Sequence, residues 1–289
     1  MATSRARDDA GPPQVDASPS GGGRRAAPAS GRATSPLLAY VLHRYDWSET
    51  SLIVELFTRA QGRVVVAAKG AKRPTSQLRP VLLPFQPLHA QLGKTPADAQ
   101  AEVHLLRSAE WVGGQPLLGA AAMFPGFYLN ELLLKLLARH DPHPRLFDAY
   151  AETLVALAGG PDEAAALRAF ELTLLRELGW LPELSIATLT AQPLQAATHY
   201  ALDPELGLAE RAGGVPGAQW VAIEAALVHG QGGAGLASLR AACAPGAGAL
   251  RMPLRNLLHY HLGHTTLRTR QVWQGVQRLA RTPAPTPSP

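Results

Sequence analysis

A single cysteine, Cys243, stands in 289 residues, so the chain has no intrachain disulfide and no site built from several thiolates. Long apolar runs are missing too. No stretch approaches the roughly 20 residues that cross a bilayer, and residues 1–35 lack the apolar centre of a signal peptide. The expectation is a soluble cytoplasmic protein stabilised by packing, with 46% apolar residues to build about two domains. Acids are absent from two long segments. Between Arg59 and Arg79 six basic residues (Arg59, Arg63, Lys69, Lys72, Arg73, Arg79) occur without an Asp or Glu, and no acid follows Glu224 in the last 65 residues. A surface that meets a polyanion needs such blanks, because a carboxylate beside a phosphate costs Coulomb energy and cancels counterion release. Solvated faces in an arginine-favouring composition give the same pattern, and charge alone leaves both readings open.

Residues 1–35 have the low-complexity texture of a flexible tail, and residues 281–289 form a Pro-rich one. Between them the texture changes once. Five short β-type runs, at 37–45, 51–58, 63–68, 81–92 and 101–111, occupy residues 36–112. Gly62 supplies a hairpin with positive φ, and Pro84 and Pro87 mark the fourth run as an edge or bulged strand. Five strands with a basic loop after the third suit a small closed barrel such as the OB-fold. From residue 113 to 280 the periodicity is helical. Helices are expected at 126–140, 143–160 (Pro144 early, Gly159 and Gly160 as stop), 162–180 (Asp162 as N-cap, Gly179 as end), 220–230, 234–243 and 253–263. Residues 181–218 read as an irregular excursion between them. The fold class is therefore α+β: a five-stranded OB-fold barrel followed by an all-α helical domain.

No catalytic motif emerges. Gly230, Gly232 and Gly235 match G-x-G-x-x-G, yet a dinucleotide site also needs an acid about 20 residues later, and none exists after Glu224. These glycines read as an interhelical loop. His259, His261 and His264 could suggest a metal, but positions 259 and 261 point to different sides of a helix; a C-terminus closed by Gly263 fits them better. Cys243 has no local base or orienter and reads as a small core residue. Asp46, Glu49, Glu131 and Glu171 form no pair visible from sequence, and capping or salt bridging is their default role. The aromatics Tyr40, Tyr45, Trp47, Phe57 and Phe85 lie among the strands, where stacking on bases would suit a strand-binding barrel. Phe57 and Phe85 read as core and Trp47 as surface.

The stretch AYVLHRYDWSETSLIVELFTRAQGRVVVAAKGAKRPTS resembles the N-terminal segment of the RecO family of bacterial DNA repair proteins. FPGFYLNELLLKLLARHDPHPRLFDAYAETL and LRAFELTLLRELGW resemble its central helical region, and PLRNLLHYHLGHTTLRTRQV its C-terminal segment, so three motifs follow in order over residues 37–275. The resemblance implies an OB-fold with a helical domain, no enzymatic site, no cofactor and a cytoplasmic, nucleoid-associated protein. It further implies a recombination mediator of the RecF pathway that binds single- and double-stranded DNA and anneals complementary strands. Such a protein acts with RecR to help load RecA onto strands coated by single-stranded DNA-binding protein. Carried over by position, Arg44, Arg59, Arg63, Lys69, Lys72, Arg73 and Arg79 become candidates for phosphate contact. Lys135 and Arg139, one turn apart on the leucine-rich helix, become candidates to receive the coating protein's acidic C-terminal tail. Some family members carry a four-cysteine zinc module after the helix that ends in L-G-[YW]; this chain has no cysteine there, so the module is expected to be degenerate and metal-free. An OB-fold adaptor that mainly docks protein tails, with DNA contact secondary, is the alternative reading.

Overall fold

The computed structural model describes residues 35–93, 102–159, 162–230, 235–263, 267–269 and 272. Residues 1–34 and 281–289 of the expected tails, and Gly160, Gly232 and His264 among the sequence candidates, lie outside the described residues. The β-branched runs become strands β1 (Leu37–Asp46), β2 (Leu52–Thr58) and β3 (Gly62–Ala68), followed by a short helix α1 (Leu78–Val81), then β4 (Leu88–Leu92) and β5 (Val103–Trp111). They close into a barrel in the order β1-β2-β3-β5-β4, with β3 and β5 parallel and the other neighbours antiparallel. Closure leaves no edge strand. The N-terminal part is thus the expected OB-type barrel, but the fourth run differs from its reading. Residues 81–87 turn rather than extend, and β4 pairs on both sides, with β1 and with β5. Pro84 touches Val41 in a single bridge before Phe85 takes a positive φ of 68°. The bulge anticipated in that run falls at Gln91/Leu92.

Alternation along the strands serves two cores. Ala39, Val41, Val54, Leu56, Val64, Val66, Leu88 and Ala90 fill the barrel. Tyr40, Leu42, Phe57 and Phe85 belong instead to the core of the helices. The buried aromatics therefore lie outside the barrel: alanine, valine and leucine side chains suffice for its interior, while the larger rings span the gap to the helices. Tyr40 meets Phe147 and Tyr150 at 5.4 and 5.0 Å, and Phe57 meets Phe147 at 5.3 Å, in tilted or edge geometries that suit ring quadrupoles.

The helices are α2 (Ala120–Leu136), α3 (Pro144–Gly159), α4 (Glu163–Glu177), α5 (Gly217–His229), α6 (Gly235–Cys243) and α7 (Ala247–Leu262). Pro144 and Asp162 stand at their expected starts, and Gly179 takes φ +72° just past α4. Two prolines misplace helix starts in the sequence reading. Pro125 and Pro253 both lie inside helices, α2 and α7, each of which begins six residues earlier than the sequence suggests. Helix α2 also ends at Leu136, because Leu137 is extended (φ −86°, ψ 139°). The stretch 181–218 is not an irregular excursion. It contains a small antiparallel sheet of β6 (His199–Asp203), β7 (Gly207–Glu210) and β8 (Val215–Pro216) in the order β7-β6-β8. Its turn is closed by Asp203, whose carboxylate accepts from the Glu205 and Leu206 amides, and by Gly207 at φ +70°. Tyr200, Leu202, Leu208 and Val215 give this sheet its share of the helical core.

Barrel and helices are joined by more than rings. Strand β1 bulges between Val41 and His43, which takes the Val41 and Leu42 carbonyls out of regular pairing. Buried Asn130 of α2 donates to both carbonyls at 3.4 and 3.0 Å and accepts from the Tyr150 hydroxyl at 2.6 Å. Gly62 meets two demands, a φ of +66° and the close passage of the Asp141 carbonyl, which would lie 1.9 Å from an added Cβ.

Candidate nucleic-acid interface

The basic loop after β3 is held at fixed points. Gly70, at φ +70°, lets the chain leave the strand, and its amide donates to the Ser51 hydroxyl at 3.3 Å. Ala71 is buried, and the Lys72 amide donates to the Thr50 carbonyl at 2.9 Å, pinning the loop to the β1–β2 turn. Two further turns follow, Arg73 N–H to Gly70 O at 3.1 Å and Ser76 N–H to Arg73 O at 3.0 Å, and they lead into α1. The loop, the end of β1 and α1 enclose an open cleft of about 460 Å³ lined by Arg44, Asp46, Leu52, Lys72, Arg79 and Leu82.

The seven candidate phosphate ligands fall into three groups. Arg44, Lys69, Arg73 and Arg79 are exposed and make no carboxylate pair among the described residues. Arg44 is steadied by donating to the Leu82 carbonyl at 3.1 Å. Lys72 reaches Asp46 at 3.2 Å and the Ser48 carbonyl at 3.1 Å, so the cleft contains one carboxylate, itself 79% exposed. Arg59 and Arg63 serve the protein instead. Arg59 grips Asp148 of α3 with two 2.9 Å hydrogen bonds. Arg63, whose side chain is only 15% exposed, faces the buried Glu55 at 3.6 Å. Turning Arg63 outward would weaken the neutralisation of a buried carboxylate, a change that costs several kcal/mol when a buried pair is broken.

The proposed tail-binding pair is separated. Lys135 lies in the last turn of α2 beside Glu131 at 3.3 Å, but Arg139 lies past the helix end. There Arg139 bridges Glu102 at 2.6 Å and Glu55 at 3.2 Å. The two residues do not share a helix face, since α2 stops at Leu136, and an acidic tail would compete with three carboxylates already in place.

Residues 37–114 match the family "Recombination protein O N terminal", and residues 121–271 match "Recombination protein O C terminal". The chain belongs to the RecO family. Among its relatives, the DNA repair protein RecO of Variovorax paradoxus (strain S110) is 50% identical over 253 residues, covering 83% of this chain and 96% of the relative. That of Polaromonas sp. (strain JS666 / ATCC BAA-500) is 49% identical over 247 residues with the same coverage, and that of Delftia acidovorans (strain DSM 14801 / SPH-1) is 50% identical over 258 residues, covering 87% of this chain and all of the relative.

In this RecO-family chain the remaining sequence candidates have structural positions. Gly230 and Gly235 bring the end of α5 and the start of α6 together, the Gly230 carbonyl lying 2.0 Å from where a Cβ on Gly235 would be. His261 stacks on Trp180 at 4.2 Å and 9°, and burial lowers its pKa. Burial pushes the Cys243 thiol up to about 12, so it is no thiolate near neutral pH. Glu171 is buried between Arg168 at 3.0 Å and the Tyr128 hydroxyl at 2.7 Å, and burial raises its pKa. Among the described residues no group of three His, Cys, Asp or Glu side chains is placed to hold a metal ion, and no helix is long and apolar enough to cross a membrane. Tyr45 and Trp47 are exposed, at 46% and 56%, whereas Tyr40, Phe57 and Phe85 are buried. Two features of the cleft escaped the sequence reading. Asp46 belongs to it, and Trp111 donates its indole N–H to the carbonyl of Val81, the residue before the cleft-lining Leu82.

Proposed function

We propose that the protein is a DNA repair and homologous recombination mediator of the RecF pathway. It binds single- and double-stranded DNA, anneals complementary strands and, with RecR, helps place RecA on strands coated by single-stranded DNA-binding protein. Relatives about 50% identical over most of this chain are named DNA repair protein RecO, which supports the repair and recombination role. The observation that carries the DNA contact is an open cleft of a closed barrel lined by Arg44, Lys72 and Arg79, with Lys69 and Arg73 exposed on the loop that borders it, and with no carboxylate partner for Arg44, Lys69, Arg73 or Arg79 among the described residues. Four cations of this kind lower the repulsion between two phosphate backbones, which is the physical obstacle to annealing. Each can exchange water and counterions for phosphate without breaking an internal ion pair.

The deciding experiment compares annealing of complementary strands, naked and coated with single-stranded DNA-binding protein, with and without RecR. Acceleration of both reactions is expected. A protein that leaves naked strands to anneal at their spontaneous rate would remove the DNA part of the proposal and favour an adaptor that docks protein tails.

A further inference from the structure

Trp111 ends β5, opposite Leu88 on β4, and 53% of it is exposed. An isolated exposed apolar side chain needs no explanation, but this indole is held. Its Nε1 donates to the Val81 carbonyl at 3.1 Å, and on the adjoining carbonyl, that of Leu82, Arg44 donates from its guanidinium at 3.1 Å. The indole and the guanidinium thus hang on successive carbonyls of one strut. Leu82, Arg44 and Arg79 line the basic cleft, so the ring is anchored one residue from the cleft's Leu82 wall, and Trp47 follows the cleft residue Asp46 in sequence. With its one polar atom satisfied inside the protein, Trp111 has an apolar ring surface left to offer a ligand.

We propose that Trp111 is a nucleobase-stacking residue, which receives a base of a single strand whose phosphates run between Arg44 and Arg79. The proposal rests on the nucleic-acid reading of the cleft and adds the part that charge does not supply. Phosphate contacts hold a strand of any kind, whereas a fixed indole holds it by a base and so favours unpaired DNA. Stacking tolerates every base, which suits a protein that must act on any sequence. The hydrogen bond to Val81 fixes the ring before the strand arrives, so little side-chain entropy remains to be lost on binding.

The test measures affinity at fixed salt for an oligothymidylate and for an abasic strand of the same length. The full chain should bind the oligothymidylate more tightly than the abasic strand, by roughly 5- to 150-fold if one good stack is involved. Trp111→Ala should lose that preference and keep its affinity for the abasic strand. Trp111→Phe keeps an aromatic face but cannot donate to Val81, and it should retain most of the preference. Equal affinity of the unaltered protein for the two strands overturns the proposal, a result that stands even if a variant fails to fold. Equal losses in both variants and on both strands overturn it as well, since they would show a ring that only braces α1. Absence of salt-dependent binding to either strand would instead overturn the cleft reading beneath it.

Discussion

The sorting of basic residues into free and paired groups makes a quantitative prediction for DNA binding. Each phosphate neutralised on a single strand contributes about −0.7 to the slope of log K against log salt concentration. If Arg44, Lys69, Arg73 and Arg79 make the contacts, the slope is about −2.8, and affinity falls about 50-fold between roughly 50 and 200 mM salt. Removing three of these cations in Lys69→Ala/Arg73→Ala/Arg79→Ala leaves a slope of about −0.7, and the same salt step then costs only about 2.6-fold. Binding at low salt weakens as well. The comparison variant is Arg59→Ala/Arg63→Ala, which removes cations that already hold Asp148 and Glu55. Its slope should match that of the unaltered protein. Its stability should not, chiefly because Glu55 then has only Arg139 for a partner; the Arg59 pair is about half exposed and contributes about 1 kcal/mol or less. Fluorescence anisotropy with a labelled oligothymidylate over a salt series reads both variants, and far-UV circular dichroism checks that each is folded. A triple variant whose slope stays within about 0.5 of the original refutes the reasoning. So does an equal flattening in the Arg59/Arg63 variant, because free and paired cations would then be indistinguishable.

Asp46→Asn should tighten single-strand binding and steepen the salt slope by about 0.7, because it takes a carboxylate from the cleft and releases Lys72; the same titration checks it. Asn130→Ala should lower unfolding stability by about 2–4 kcal/mol, since it strands the Tyr150 hydroxyl and the Leu42 carbonyl in the core; urea denaturation measures the loss. Glu131→Ala should abolish hydrogen-exchange protection at the Arg268 and Thr269 amides, which donate to its carboxylate at 2.7 and 2.9 Å. Burial pushes the Glu131 carboxyl up, but the Thr269 hydroxyl, the two amides and Lys135 outweigh it and hold it below 4.5. This tether is therefore complete above the ordinary carboxylate pKa and is lost as pH falls through the depressed one, so the protection difference between the two proteins should vanish in acid.

Local signals were legible wherever one residue type determines the backbone. The valine-rich runs, Gly62 in the β2–β3 hairpin and Gly179 after α4 stand where their chemistry places them, whereas Asp162 precedes α4 without its side chain capping the helix. Prolines misled the boundaries. Pro125 and Pro253 occupy the first two turns of their helices, where surrounding packing outweighs a missing N–H. The hairpin at 203–207 has its own signal in D-P-E-L-G, which the surrounding Thr, Pro and Gly obscure. The site was legible as a composition and not as a geometry. A segment without acids in sequence need not lack them in space, and Asp148, Glu55 and Asp46 arrive from α3, β2 and β1 to claim Arg59, Arg63 and Lys72. Trp111 carried no signal of its own, because its meaning comes from a carbonyl 30 residues away.

The bulge in β1 ties the barrel–helix joint to the cleft. Paired residues in an antiparallel ladder share a face, so the pairing of Val41 with Leu56 places both side chains inside the barrel. Regular pairing would continue with residue 42 opposite Glu55, and Arg44 would then stand opposite Ile53, on the face that alternation turns away from the barrel interior. The extra residue at the bulge shifts the register, and Arg44 pairs with Val54, whose side chain is buried in the barrel. The guanidinium therefore emerges on the inner face at the barrel's end, where it reaches the Leu82 carbonyl and lines the cleft. The bulge itself is held from outside, since Asn130 satisfies the carbonyls that it frees and Leu42 sinks into the helical core. Helix α2 thus contributes to the cleft without touching it. It stabilises the one strand register in which Arg44 is a cleft residue, and this is a physical reason for the barrel and the helices to share a core.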